Sequence, residues 1–457
     1  MTNKLFKVLS LFLVAVMVFQ LLPVNMIVIA AESANIVGSA SATQNATLNT
    51  GYQRLKTAEV VEEDVTKRGE YYKEFVLNNG LRMATLYPYA VHYEEDGQWK
   101  EIDNTLIATG DHYTNTAGEW SVSFPKSMNR NTAVSIQKDG YTLQFYMTGE
   151  LRSNSNQLER ASLEAAGGEA LSVQGIQTAT AQIEKVDHSE RKAELEYPEM
   201  FSEKTQSRLQ YSNVYSDTNL VYDLDSNRVK ESIVMQAYSD GLRGYRYTLN
   251  VGELNPVLTD SGEIYLYDRD KKEIVMVMPA PFLVDDVGEY NYDVNVTLTG
   301  SGSTYTLTYL LPQEWLASND RQWPVVLDPM VDADIDVNNI RDVSVYERQC
   351  PYTTPHIAGD LSVGRTDEYG RMYSFLKYDN LPLLTSADVI VAAQLTLEKM
   401  EDSPGGSIVE IHKVEFNWDS DDLTWSDQME FSDKVEDYAL VKNAGLYTWS
   451  ITDVVRN

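Results

Sequence analysis

From about residue 58 onward, the apolar residues occur in short alternating runs that are separated by Gly, Asn, Asp and Pro. A period of two with frequent turn residues predicts short β-strands joined by tight turns. Three runs dense in β-forming residues show the pattern most clearly: Tyr141–Tyr146, Tyr245–Leu249 and Tyr305–Leu310. The 29 tyrosines suit it, because a tyrosine on a half-buried sheet can bury its ring and hydrate its hydroxyl. We therefore expect an all-β protein.

The C-terminal third alternates most regularly. In an extended chain one face would be wholly apolar, formed by Val389, Val391, Ala393, Leu395 and Leu397. The other face would be mixed, formed by Ile390, Ala392, Gln394, Thr396 and Glu398. Val409 and Ile411 repeat the alternation after a turn at Ser403–Gly406, and this spacing predicts a β-sandwich. The stretch from Ser153 to Ser207 has weak periodicity, and we expect a loop-rich or partly helical insertion there.

The N-terminus resembles an export signal. Lys4 and Lys7 precede the apolar run Val8–Phe19, and small residues close the segment at Val28–Ala31. We expect residues 1–31 to be a cleaved signal peptide, with an uncleaved membrane anchor as the alternative. Residues 32–57, which are rich in Ser, Ala, Thr and Asn, are typical of a flexible linker. The mature chain would then be extracellular, either secreted or associated with the cell wall, and would have no membrane partner.

Composition narrows the classes of partner. The chain has 37 basic and 68 acidic residues, a net charge of −31, which disfavours nucleic acid and anionic lipid surfaces. The acidity serves solubility, or it attracts Ca²⁺, which prefers clustered carboxylate oxygens. The single cysteine, Cys350, excludes an intramolecular disulfide, so stability must come from a buried core.

Four motifs in the C-terminal third together resemble the DNRLRE-type domain, the carbohydrate-binding module of family ninety-six. In chain order they are Leu361–Gly364, Tyr373–Asp379, Ala392–Leu397 and Trp418–Trp425. The resemblance implies a jelly-roll β-sandwich that spans residues 331–457 and binds polysaccharide. Two departures stand out: Ser450 occupies a position where family members usually carry aspartate, and the family pattern continues beyond Asn457. The resemblance therefore implies a sandwich that is incomplete at its C-terminus.

The region of residues 58–330 resembles the N-terminal part of Rhs/YD-repeat and wall-associated surface proteins of Gram-positive bacteria. The motifs that carry the resemblance are Lys73–Phe75, Asp96–Leu106, Tyr211–Tyr215, Val229–Ile233 and Trp323–Pro329. It implies β-rich N-terminal domains that precede a DNRLRE-type domain.

The sequence gives no positive sign of an enzyme. It contains no Gly-x-Ser-x-Gly, and the five histidines are scattered rather than paired at helical spacing. Adjacent acids such as Asp421 and Asp422 are expected by chance among so many carboxylates. We expect a protein without catalytic activity.

Two sets of residues are candidate binding sites. Asp332, Asp334 and Asp336 would line one side of an extended segment and could bind Ca²⁺, or they could belong to a solvated linker between domains. The candidate residues for glycan contact are Tyr352, Tyr369, Tyr373, Glu410 and His412. We expect at least one of Trp418 and Trp425 to be part of the domain core, and Cys350 to be a plain loop residue.

The sequence leaves two functions open. The first is a polysaccharide-binding or cell-wall-binding module, which the C-terminal resemblance favours. The second is a structural shell or stalk of an Rhs-like surface or toxin-delivery protein without glycan binding, which the N-terminal resemblance favours. They differ in whether the sandwich carries an exposed aromatic strip.

Overall fold

The computed structural model describes residues 58–153, 171–186, 200–270, 273–333, 339–348, 360–367, 369–382, 388–399, 406–419, 423–427 and 430–456, with the backbone of 17–20 and 26–32. The described residues form an almost entirely β structure of antiparallel sheets, which confirms the expected class. The expected jelly-roll topology and missing last strands stay predictions. In the described parts no helix has the length and apolarity needed to span a bilayer.

The strands follow one another in short segments. The first seven are β1 (Met17–Gln20), β2 (Met26–Glu32), β3 (Val60–Glu63), β4 (Tyr72–Leu77), β5 (Arg82–Leu86), β6 (His92–Glu95) and β7 (Gln98–Glu101). The next seven are β8 (Asp103–Thr109), β9 (His112–Ala117), β10 (Ser121–Pro125), β11 (Ser127–Met128), β12 (Val134–Lys138), β13 (Tyr141–Ser153) and β14 (Leu171–Gln174). Then come β15 (Ala179–Glu184), β16 (Ser207–Tyr215), β17 (Thr218–Leu224), β18 (Arg228–Met235), β19 (Leu242–Asn250), β20 (Leu254–Leu258) and β21 (Ile264–Asp268).

The remaining strands continue to the C-terminus. They are β22 (Ile274–Met278), β23 (Phe282–Asp285), β24 (Tyr290–Asn291), β25 (Asn295–Ser301), β26 (Thr304–Leu310), β27 (Val325–Asp328) and β28 (Met330–Asp332). The last seven are β29 (Ile340–Tyr346), β30 (Asp360–Thr366), β31 (Gly370–Tyr378), β32 (Asp388–Lys399), β33 (Ser407–Val414), β34 (Phe431–Val441) and β35 (Gly445–Ser450). The helical segments are α1 (Gln313–Leu316), α2 (Thr452–Arg456) and the 3₁₀ turns Val65–Lys67 and Glu203–Thr205.

The chain divides into two compact units. Unit 1 contains residues 1–99, 189–202 and 338–457, and unit 2 contains residues 100–188 and 203–337. The expected boundary at residue 331 lies near the division at residue 338. Within the expected N-terminal region of residues 58–330, residues 58–99 belong to unit 1 together with the C-terminal segment. The reason is packing between segments distant in sequence: Ala84 and Leu86 of β5 share a core with Ala393 and Leu395 of β32.

Unit 2 is a pair of antiparallel sheets with a common core. One sheet has the order β25-β26-β19-β13-β12-β10-β9-β8, with β14 also paired to β13. The other has the order β11-β15-β16-β17-β18-β28-β22-β21-β20, and β27, β23 and β24 extend it beside β18. Six tyrosines lie within the core: Tyr211, Tyr215, Tyr222, Tyr245, Tyr247 and Tyr309.

The structure corrects two expectations about unit 2. The Ser153–Ser207 stretch was expected to be loop-rich or partly helical, but its described parts include strands β14 and β15. These strands were not predicted because they are only four and six residues long, which is too short to show a clear period of two. The tyrosine hydroxyls were expected to be hydrated, but Tyr211 is fully buried and donates to the Pro125 carbonyl at 2.6 Å.

Unit 1 is built around one large sheet of order β29-β31-β30-β1-β32-β2-β5-β4-β3, in which β35 also pairs with β32. Strand β2, at the end of the expected leader, pairs antiparallel with both β5 and β32. Cleavage after residue 31 stays a prediction. The expected alternation in β32 holds for Ala393, Leu395 and Leu397, which share one core. It fails at the N-terminal end of β32, where a register shift moves Val391 and Ala392 to a different cluster.

The hairpin of β33 and β34 forms a separate two-stranded sheet in unit 1. Its inner face packs Val409, Ile411 and Ala439 against the core. The Trp449 Nε1–H donates to the Val409 carbonyl at 3.2 Å, which ties the hairpin to β35. Because side chains alternate along a strand, the neighbouring residues of this hairpin point outward.

Candidate functional site

Tyr373 is the centre of an aromatic cluster in unit 1. Its partly buried ring stacks on Trp425 with a centroid distance of 5.1 Å and an interplanar angle of 29°. The Phe431 ring meets Tyr373 edge to face at 6.0 Å. Tyr373 therefore joins the end of β34 to the loop that carries Trp425.

His412 extends the cluster onto β33. Its ring lies 5.5 Å from that of Phe431 in an edge-to-face arrangement. Its Nδ1 lies 2.8 Å from the Ser432 carbonyl, which can only accept, so Nδ1 carries the proton of this hydrogen bond. Nε2 lies 3.5 Å from Oε2 of Glu410. The sequence-predicted residues Tyr373, His412 and Glu410 are thus brought together through Phe431.

The outer face of the β33–β34 hairpin continues this cluster. Tyr438 lies directly opposite Glu410, and Leu440 lies opposite Ile408. These side chains face solvent, with exposed fractions of 66% for Tyr438, 64% for Leu440, 61% for Ile408 and 39% for Phe431. We use the term aromatic surface for Tyr373, Trp425, Phe431, His412 and Tyr438. The exposed side chains of the hairpin thus lie beside the partly buried rings of Tyr373, Trp425 and His412, and exposed apolar patches often mark binding sites.

The base of the aromatic surface is rigid. Phe375, two residues beyond Tyr373 on β31, is buried and packs on Trp418 at 5.8 Å and Phe416 at 5.9 Å. Trp418 is buried, so the expectation that at least one of the two tryptophans belongs to the core is confirmed. Asp427 holds the loop of Trp425, since its Oδ2 accepts from the Thr424 backbone N–H at 2.7 Å and its hydroxyl at 2.9 Å. The stacked rings are therefore positioned before any ligand arrives.

Charged groups lie at the edge of the aromatic surface. The Arg371 guanidinium lies over the Trp425 ring at 5.3 Å. It also donates to both carboxylate oxygens of Glu347, at 3.3 and 3.1 Å, and the Arg371 backbone N–H donates at 2.9 Å. These hydrogen bonds lower the pKa of Glu347, which keeps the carboxylate ionised. The edge can therefore offer both donors and acceptors to a ligand with many hydroxyls.

The other predicted residues have different positions. Tyr369 is not in the cluster but packs on Tyr346 at 5.5 Å, near the turn between β30 and β31. Tyr352 and Cys350 lie outside the described residues. Asp332 is buried, and its two oxygens accept from Arg228 at 2.6 and 2.9 Å, so this carboxylate is part of a structural ion pair.

The calcium hypothesis rests on Asp332, Asp334 and Asp336 together. Asp334 and Asp336 lie outside the described residues, so the hypothesis stays a prediction. Among the residues that are described, no group of three or more His, Cys, Asp or Glu side chains could hold a metal ion.

Sequence reasoning missed Phe431 and Tyr438 as surface residues. A register shift between Ile411 and His412 interrupts the pairing of the hairpin, so the apolar residues of β34 do not keep a strict period of two. The available signal was the pair of aromatic residues in the Phe431–Val441 segment, which lies close after Trp425.

No protein-family model matches this chain, and no curated protein matches it.

Proposed function

We propose that this chain is a secreted cell-surface protein whose aromatic surface binds a polysaccharide or cell-wall glycan without chemistry. The observation that carries the proposal is the series of ring contacts from Trp425 through Tyr373 and Phe431 to His412, with the exposed Tyr438 opposite Glu410 on the same hairpin. Sugars are recognised by aromatic faces that stack on their apolar C–H surfaces, with a few polar groups that fix orientation.

The shape and edge of the surface agree with an extended ligand. The hairpin contributes residues from Ile408 to Val414, and six steps along a strand cover about 20 Å. Polar groups accompany the rings along this length, with Glu410 in the middle and Arg371 near Trp425. A linear glycan could lie along the strands and contact both the aromatic rings and these polar groups.

The net charge of the chain favours neutral glycans over anionic ones. At −31, the chain repels polyanions, so neutral glycans are the expected ligands, and uronic acids would need a bridging Ca²⁺. The site is shallow, so one copy should bind weakly and display in several copies would supply avidity.

Binding of the full chain to glycan arrays and wall preparations, with and without Ca²⁺, tests the proposal. We expect Trp425→Ala and Tyr438→Ala each to reduce binding of a retained glycan by about tenfold, the loss of roughly one stacking contact. Tyr292→Ala is the matched control, since Tyr292 is 51% exposed but belongs to unit 2. If the folded chain retains no glycan under any condition, the structural shell or stalk takes the place of this proposal.

A further inference from the structure

Glu231 is a partly buried carboxylate on the inner face of β18, between the core residues Val229 and Ile233 of unit 2. It lies on β18 directly opposite Tyr222 of β17, and the Tyr222 hydroxyl donates to its Oε1 at 2.6 Å. From the other sheet, Tyr247 of β19 and Tyr309 of β26 face the same cavity. Glu231 thus lies where the two sheets meet.

Among the described residues, none that lines the cavity beside Glu231 is a cation. Its titratable neighbours around the cavity are Tyr222, Tyr247 and Tyr309. The other described residues that line the cavity come from β12, β13, β22 and β28, among other segments, and they are apolar. The two cations on its own strand are engaged elsewhere, since Lys230 pairs with Asp328 at 2.7 Å and Arg228 pairs with Asp332. A negative charge on Glu231 would therefore be balanced only by tyrosine hydroxyls.

A small cavity adjoins the carboxylate. Its volume is about 20 Å³, enough for about one water molecule. The Tyr247 hydroxyl, on a side chain that is 1% exposed, has no hydrogen bond of normal geometry among the described residues. It nevertheless lies close enough to Glu231 to favour the ionised form. The cavity is thus lined by a polar group, the Tyr247 hydroxyl, that has no well-formed hydrogen bond among the described residues.

We propose that Glu231 is a pH-sensitive switch in the core of unit 2. As a neutral acid it brings no charge between the sheets while its Oε1 accepts from Tyr222, and the two sheets stay closed over it. As a carboxylate it brings an uncompensated charge between the sheets, so water enters the cavity beside Tyr247 and the strands around it loosen.

Electrostatics supports this assignment. Burial raises the pKa of Glu231 to about 7, although the Tyr222 and Tyr247 hydroxyls act in the opposite direction. Folding is therefore favoured most below the ordinary value of 4.5, and this contribution is lost as the pH rises through 7. The change falls in a range that a cell-surface protein encounters.

Amide hydrogen exchange of the full chain at pH 5.5 and pH 8.0, corrected for intrinsic exchange, tests the proposal. We expect protection in β17, β18, β19 and β26 to fall by about tenfold or more at the higher pH. Glu231→Gln should keep the Tyr222 contact and abolish this fall. Glu150→Gln is the matched control, since Glu150 is also buried in unit 2 but pairs with Arg152 at 2.6 Å, so the fall should persist.

Tyr247→Phe gives a second variant that tests the switch if Glu231→Gln does not fold. Loss of this hydroxyl removes one of the two groups that stabilise the carboxylate, so the midpoint of the change should move to higher pH. Equal protection of the native chain at both pH values, or a fall that survives Glu231→Gln, would overturn the proposal. A midpoint in Tyr247→Phe that stays in place or moves to lower pH would also overturn it.

Discussion

The core of unit 2 and the β33–β34 hairpin of unit 1 use aromatic side chains in different ways. The core of unit 2 buries six tyrosines between two sheets, whereas the hairpin exposes Phe431 and Tyr438 to solvent. Two partly buried carboxylates also differ, since Glu63 in unit 1 pairs with Arg68 at 2.6 Å and Glu231 in unit 2 has no cation around its cavity among the described residues. A residue's role therefore follows from what covers it, and not from its type.

The largest expected effect is the loss of a core tyrosine in unit 2. Tyr211 is fully buried and meets the Tyr222 ring edge to face at 6.0 Å. Tyr211→Ala should destabilise unit 2 by about 3–5 kcal/mol, because it leaves a cavity and an unpaired Pro125 carbonyl. Urea unfolding with strand-resolved hydrogen exchange would measure it, and Tyr211→Phe, which keeps the ring, should cost only about 1–3 kcal/mol. A loss below about 1 kcal/mol in Tyr211→Ala would contradict the assigned packing.

The carboxylates should give the units opposite responses to pH. Burial alone would raise the pKa of Glu63, but the His92 ring, whose Nε2 lies 3.7 Å from Oε1, and the hydrogen bonds from Arg68 lower it from 4.5 to about 2. Its stabilisation is therefore complete above pH 4.5 and is lost as the pH falls toward 2, whereas that of Glu231 is lost as the pH rises. Arg68→Met should cost about 2–3 kcal/mol at pH 7, and the cost should shrink in acid.

Hydrogen exchange in β3 and β4, recorded from pH 7 to pH 3, would measure this response. Lys67→Met is the control, since it removes a neighbouring cation whose side chain is not part of the Glu63 ion pair. If Arg68→Met costs the same free energy of unfolding at pH 7 and at pH 3, the expected contrast between Glu63 and Glu231 does not hold.

A smaller effect should follow from the loop of Trp425. Asp427→Ala removes the acceptor of two hydrogen bonds from Thr424 and should cost about 1 kcal/mol in unit 1. Glycan binding should weaken with it, because the stacked ring loses its fixed position. Asp427→Asn keeps an acceptor, so it should retain most of the stability of unit 1 and most of the glycan binding. Calorimetry with a retained glycan would compare the two variants.

The smallest effect on stability should come from Tyr438. Its side chain is 66% exposed, so Tyr438→Ala should change the free energy of unfolding by at most about 0.5 kcal/mol. The same variant should weaken glycan binding by about tenfold, which separates the surface tyrosine from the core tyrosines of unit 2. A large loss of stability here would mean that Tyr438 supports the fold instead of presenting a ring.

Features that depend on neighbouring residues in the chain could be predicted from the sequence, and features that depend on contacts between distant segments could not. The runs at Tyr141, Tyr245 and Tyr305 lie in β13, β19 and β26 as expected, because alternation is a local property of a strand. The membership of residues 58–99 in unit 1 was missed, because it depends on packing with β32, which lies far away in the chain. Of the candidate site, Tyr373, Glu410 and His412 were named from the sequence, and their role in glycan contact stays a prediction. Phe431, which joins Tyr373 to His412, was not named.

The sequence by itself determined the all-β class, the positions of many strands and the abundance of aromatic residues, since each depends on neighbours within a few positions. Only the tertiary structure decided which tyrosines are buried and which face solvent. It also decided that Asp332 is held by Arg228 and that Glu231 faces tyrosine hydroxyls across its cavity. These outcomes depend on which strand lies opposite and which sheet covers it, and that information is spread over segments that are far apart in the chain.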